Sequence, residues 1–299
     1  MSRPTVTALG AVSAVGAGCV LYGTVIERRW YRRSHLRVSG VLRHPGRTLR
    51  ILHVTDLHLL PRQQHRIDFL RQLADLDHDL VVATGDLLGG PDAEDVTAAA
   101  LAPLTGRGQP GLVVLGSNDM FGPVPKAPWS YLTRPERRRT GIALDTNRLI
   151  DRLDRYGYRT LRGETLTVDT AGGRVIAGGF DDPHLRTTVL PDPADLAPPA
   201  DSDADLHLGL VHAPYLAALD VLVDAGHDLL LAGHTHGGQV RLPGIGALVA
   251  NCDLPLSKAR GLSTVRGRQL HVSAGLGHSP YAPFRFACRP EATLLELTA

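Results

Sequence analysis

Five places in this 299-residue chain set aspartate, histidine or asparagine directly after an apolar run. They are Asp56-Leu57-His58, Gly85-Asp86, Gly116-Ser117-Asn118-Asp119, His212, and Gly233-His234-Thr235-His236-Gly237-Gly238. Carboxylates and imidazoles in a mixed set suit Zn, Fe or Mn better than Ca or Mg. An aspartate can bridge two such ions through its two oxygens, and a hydroxide held between them is a nucleophile near neutral pH. Most of these clusters have a plainer reading when taken alone: a turn aspartate, a surface histidine, a hydrogen-bonded core histidine. The glycine-flanked His234-Thr235-His236 does not, because its glycines let backbone and ion approach closely. The ordered set of five carries more than any member.

The elements that must position these residues read as strands alternating with helices, the pattern of an α/β chain. Leu49–Thr55, Leu80–Thr84, Gly111–Leu115, Asp205–Val211 and Asp228–Ala232 are the apolar runs that end in the five clusters. Ligands of α/β folds gather outside the carboxyl ends of such strands. Between them, Arg66–Leu76, Asp95–Leu104 and Asn147–Tyr156 have helical character, and Thr165–Asp169 and Arg174–Gly179 read as strands. Gln269–Ala274, Phe284–Arg289 and Thr293–Leu297 are expected to close the sheets. Phe121 to Thr146, rich in Pro, Arg and aromatics, reads as a long loop or lid, in which Arg134, Arg137, Arg138 and Arg139 are either an anion grip or a solvated charge run. Pro191–Asp205 reads as a surface connection. His53 is expected in the core or directly behind the ligands, and Asp182-Pro183-His184 forms a turn or lines the site.

The composition is that of an ordinary globular protein, 43% hydrophobic and 21% charged, with a net charge of +2. That balance gives no reason to expect nucleic acid as partner. Cys19, Cys252 and Cys288 are too scattered for a disulfide framework or a thiolate metal site. No charged side chain occurs from Thr5 to Ile26, and Arg28, Arg29, Arg32 and Arg33 follow. The stretch is long enough to span a bilayer, and the arginines would then keep the remainder in the cytoplasm. It is rich in Ala and Gly, so an apolar helix packed on a soluble cytoplasmic domain is the alternative. The chain divides accordingly into residues 1–33, an apolar segment with a basic flank, and residues 49–299, the domain that holds every candidate ligand.

Asp56-x-His58, Gly85-Asp86, the element at Gly116, His212 and Gly233-His234-x-His236 resemble, in order, the motifs of the calcineurin-like metallophosphoesterases. Gly237-Gly238-Gln239 and the apolar start resemble its bacterial, often membrane-associated branch. The resemblance implies a four-layer α/β/β/α sandwich of two mixed sheets with flanking helices. It implies two divalent metal ions (Mn, Fe or Zn), one held by Asp56, His58 and His236, with Asp86 bridging and His212 and His234 on the second. The implied activity is hydrolysis of phosphomonoesters, phosphodiesters or pyrophosphates by a metal-bound hydroxide; at a membrane, a lipid-linked phosphate would be the substrate. One motif departs from the family, which has Gly-Asn-His followed by an acid where this chain has Gly116-Ser117-Asn118-Asp119. Read without a gap, Ser117 takes the ligand place; with a shift, Asn118 keeps it. Neither reading leaves a histidine there as proton donor. A non-catalytic binding or scaffold protein with a partly decayed site is the rival reading.

Overall fold

A computed structural model describes residues 13–125, 141–185, 188–278 and 281–299. Two six-stranded mixed sheets face each other. The first runs β1 (Arg32–Val38), β14 (Glu291–Thr298), β2 (Thr48–Val54), β3 (Leu80–Thr84), β4 (Gly111–Val114) and β5 (Tyr158–Thr160). The second runs β12 (Gly261–Val265), β13 (Arg268–Val272), β9 (Leu229–Ala232), β8 (Leu206–Leu210), β7 (Gly173–Gly179) and β6 (Glu164–Thr170). Strands β2 to β5 are mutually parallel, as are β7, β8, β9 and β13. Strands covered on both faces read as continuous apolar runs, and β3, β4, β8 and β9 are buried at every residue.

The period of two along each strand sorts its side chains between layers. Leu49 and Ile51 of β2, with Leu80 and Val82 of β3, point into the space between the sheets and meet Leu208 of β8 and Leu229 of β9. Leu52, Val54, Val81 and Ala83 face outward, onto the helices Gln64–Leu73, Glu94–Leu101 and Thr146–Asp154 through Leu70, Leu101 and Leu149. The outer face of the second sheet is covered by the helix Leu216–Asp224, with Leu219 and Leu222 against Leu230 and Leu270. Fully burying a Leu or Ile side chain is worth roughly 1.5–3 kcal/mol, so these three layers of contact hold the strand ends in fixed register. The architecture is the four-layer α/β/β/α sandwich expected.

Three features depart from the sequence reading. Residues 34–48, assigned to neither segment, contribute most of β1, an arginine-rich edge strand parallel to β14. The expected closing strand at Phe284–Arg289 is irregular apart from one bridge between Phe286 and Val240. Its backbone is turned aside at Ala287, which has φ 49°, and the amides of Arg285, Ala287 and Cys288 are taken by the N-terminal segment. Finally, no helix among the described residues is long and apolar enough to cross a membrane. The apolar stretch is helical over 13–21, loosens into a π-turn at Tyr22–Ile26 and packs Gly23 and Glu27 against the C-terminal loop. Residues 5–12 of that stretch, and the arginines of the expected lid, lie outside the described residues. All three cysteines are free thiols.

Candidate metal centre

The loops that follow β2 and β3 continue side by side beyond the strands. Asp56 N donates to Gly85 O at 2.9 Å and His58 N to Asp86 O at 2.9 Å. Asp56, His58, Asp86, His234 and His236 all have positive φ, at 50°, 40°, 53°, 68° and 50°. That left-handed backbone costs an L-residue about 1–2 kcal/mol. It turns the side chains out of strand alternation and toward one point. Two glycines allow the loops to approach. A Cβ on Gly85 would stand 2.8 Å from His212 Nδ1, and one on Gly233 would stand 2.7 Å from Asp56 Oδ2.

Two groups of potential ligand atoms converge there, Asp56/His58/His236 and Asp56/Asp86/His212, each with its atoms within 4.8 Å of one another. His58 Nε2 and His236 Nε2 face each other at 3.3 Å. His236 Nε2 lies 3.5 Å from Asp56 Oδ1, and Asp86 Oδ2 lies 3.6 Å from His58 Nε2 and 3.4 Å from His212 Nε2. Asn118 meets the same carboxylate, its backbone N–H donating to Oδ1 at 2.8 Å and its side-chain amide to Oδ2 at 2.6 Å. His234 stands outside both groups. Its backbone N–H donates to the Asp56 carboxylate at 3.0 Å, its Nε2 lies 3.2 Å from Asn251 O, and its ring is 5.3 Å from that of His212.

These residues fit divalent cations. His212 Nδ1 donates to Thr84 O at 2.6 Å, which leaves Nε2 as the nitrogen aimed at Asp86, and that atom makes no hydrogen bond. A second-sphere contact of this kind fixes the tautomer of a metal-binding imidazole. The carboxylates of Asp56 and Asp86 are buried together. Burial, reinforced by the Asp86 charge, pushes Asp56 up to about 7. Burial also works against ionised Asp86, but His212 outweighs it and holds Asp86 well below the usual carboxylate range. Burial pulls His212 down in turn, yet the charges of Asp86 and Asp182 keep it well above the ordinary imidazole value. Burial lowers His58 to about 4 and carries His236 well below its ordinary value, so both present neutral rings.

The departed motif divides its work. Asp119 is a brace: Oδ1 accepts from Leu87 N and Leu88 N at 2.7 and 2.9 Å, and Oδ2 from Gly116 N at 2.9 Å. Ser117 turns its N–H to Asp182 Oδ2 at 2.8 Å, while Oδ1 of Asp182 accepts from His184 N at 2.8 Å. The buried Asp182 therefore ties the loop after β7 to the departed motif, and burial raises its carboxyl to about 6. The His184 ring sits 4.4 Å from that of His234, and its Nδ1 is 3.0 Å from Tyr215 Oη. Sequence reasoning missed Asn251, Tyr215 and the buried Arg285. Only Arg285 left a trace, a lone charge within the run Phe284-Arg285-Phe286-Ala287-Cys288.

A two-sheet sandwich with cation-fitting side chains at the shared carboxyl edge of its parallel strands is the scaffold of a metallophosphoesterase. Residues 49–238 match the family described as calcineurin-like phosphoesterase, and the chain belongs to that family. It is 28% identical over 254 residues to the uncharacterized metallophosphoesterase YkoQ of Bacillus subtilis (strain 168), covering 83% of each chain. It is 27% identical over 299 residues to the uncharacterized metallophosphoesterase YkuE of the same strain, covering 97% of this chain and 93% of the relative. The phosphodiesterase YaeI of Escherichia coli (strain K12) is 41% identical over 104 residues, 33% of this chain and 36% of that protein.

Proposed function

We propose that the chain hydrolyses phosphate esters with the help of two divalent cations, Mn, Fe or Zn. The observation that carries this reading is the convergence of three imidazole nitrogens and two buried carboxylates in two groups whose atoms lie within 4.8 Å of one another. Cations bound there supply Lewis-acid polarisation of a phosphoryl group and activation of water. Asp56 belongs to both convergent groups, but Asp86 would be the bridging carboxylate, because its Oδ2 lies 3.6 Å from His58 Nε2 in one group and 3.4 Å from His212 Nε2 in the other. His234, whose ring lies 5.3 Å from that of His212, would be the further imidazole on the second cation. The contact of Asn118 with Asp86 favours the Asn118 amide over the Ser117 hydroxyl as the ligand of this motif, a half-turn of the amide bringing Oδ1 to the place of Nδ2.

With no histidine at position 118, esters of poor leaving groups forgo a proton donor there, a loss of roughly 10²–10⁴ in rate. Aryl phosphodiesters and pyrophosphates need less protonation and are the favoured substrates. The rival non-catalytic reading has less support, because the ligand side chains are retained and oriented together. The test is elemental analysis of the purified chain with hydrolysis of an aryl phosphodiester across Mn, Fe and Zn. About two cations per chain and turnover are expected. No bound cation at saturation would sink the proposal.

A further inference from the structure

Arg285 is wholly buried, and among the described residues no carboxylate lies within ion-pair distance of it. An unpaired buried charge is costly unless hydrogen bonds satisfy it. Its Nε donates to Gly277 O and its Nη1 to Cys288 O, both at 3.1 Å; its Nη2 donates to Ala274 O at 2.7 Å and Gly277 O at 2.6 Å. Nη2 also lies 3.4 Å from Nδ1 of His236, the ring nitrogen opposite the one that faces His58 and Asp56; with Nε2 offered to a cation, Nδ1 carries the proton, so this contact is packing against the ring and not a hydrogen bond. Of the carbonyls it gathers, all but Cys288 O belong to the segment that lies on Asp56. Leu276 N donates to Thr55 O at 3.1 Å and Gly277 N to Asp56 O at 2.6 Å, and a Cβ on Gly275 would stand 2.6 Å from Asp56 Cβ. One guanidinium thus stands behind both Asp56 and His236.

The loop that carries Arg285 is held from its other side by the N-terminal segment. Arg285 N donates to Gly23 O at 3.2 Å, and a Cβ on Gly23 would come within 2.4 Å of the Phe284 ring. The Glu27 carboxylate, 1% exposed, accepts from Ala287 N at 2.9 Å and Cys288 N at 2.5 Å. Arg289 lies 4.0 Å over the Trp30 ring and donates to Trp30 O at 2.9 Å. Burying an acid on two backbone amides is costly unless both bonds form, so Glu27 fixes the turn at Ala287 with little tolerance.

We propose that Arg285 is a positioning residue for the cation of Asp56, His58 and His236, and that Glu27 sets its place. The inference rests on the two-cation reading above. It makes the N-terminal segment part of the metal-binding architecture, although none of its residues belongs to the convergent ligand groups.

The experiment is a Mn²⁺ titration of the full chain, followed by electron paramagnetic resonance, for wild type, Glu27→Gln, Arg285→Lys and Arg285→Met. Wild type is expected to bind two ions as a spin-coupled pair. Arg285→Met should weaken one ion by about 10–100-fold, the usual scale for a group in contact with a ligand, and leave the other unchanged; Glu27→Gln, one layer further out, should weaken the same ion by less. An uncoupled mononuclear signal should then appear at intermediate Mn²⁺. Arg285→Lys keeps the charge but loses the fork, and should fall between wild type and Arg285→Met. If Arg285→Met does not fold, Glu27→Gln and Arg285→Lys still decide the matter. Equal weakening of both ions, or no weakening in Glu27→Gln, would overturn the proposal. A wild type that binds fewer than two ions would instead overturn the two-cation reading, and the wild-type titration alone tells the two failures apart.

Discussion

His58, His212 and the half-buried His236 lie at one end of the sandwich, and His53 and His271 are buried between its sheets. In the second pair the two Nδ1 atoms lie 3.0 Å apart and His53 Nε2 lies 2.8 Å from Thr84 Oγ1. Burial lowers His53 well below its ordinary value and His271 to about 4, as it lowers His58 to about 4. Burial is therefore common to both clusters and distinguishes neither. The difference is the backbone. His53 and His271 sit within β2 and β13 and point inward with the strand period, so their rings reach only each other and a hydroxyl. The other three lie beyond strand ends, two of them in left-handed conformation, and reach carboxylates. A buried imidazole becomes a candidate ligand where the chain leaves its strand.

The strongest way to break that contrast is Asp86→Asn, which removes the carboxylate that His58 and His212 share. Loss of both cations is expected, with activity down by at least about 10³, near 4 kcal/mol of barrier. Retention of two cations by elemental analysis would remove Asp86 from its shared role. Next comes the pair Asn118→Ala and Ser117→Ala. Asn118→Ala should weaken one cation by about 10–100-fold, while Ser117→Ala leaves occupancy alone; the reverse would restore the ungapped reading of the motif.

The smallest effect belongs to the inter-sheet pair. His271→Leu should leave metal content unchanged and cost about 1–3 kcal/mol at neutral pH, because His53 Nδ1 loses its partner. The folded His271 titrates at about 4, below the ordinary 6.5, so the stability tied to its neutral form is complete above 6.5 and is lost as pH falls through 4. The gap in melting temperature between wild type and variant should narrow across that window. A constant gap would show that the pair does not stay neutral.

The strands ahead of the ligands were legible because a parallel strand covered on both faces must be a continuous apolar run, and β3, β4, β8 and β9 have no other reading. Their polar ends were legible as an ordered set, anchored by His234-Thr235-His236; Asp86 alone reads as a turn aspartate. What could not be read were pairings between distant segments. Strand β1, with its exposed arginines, looks like a solvated stretch until β14 supplies its partner. Arg285 passed unremarked within an expected closing strand, because only the assembled loops bring the carbonyls of Ala274, Gly275, Gly277 and Cys288 to one guanidinium. The role of Asn118 needed the neighbouring loop as well, since local order does not say which residue of Gly116-Ser117-Asn118-Asp119 turns toward Asp86.

The left-handed backbone at Asp56, His58, Asp86, His234 and His236 sets folding and chemistry against each other. Glycine at any of these positions would relax a strain of about 1–2 kcal/mol, and would remove a side chain that the proposed function needs. Bound cations offset the strain by mass action, in proportion to the logarithm of their concentration over Kd. In a chelator that compensation vanishes and only the strain remains. A library selected there for foldedness alone should drift toward glycine at these five codons, whereas the same library selected in Mn²⁺ for turnover should hold them unchanged.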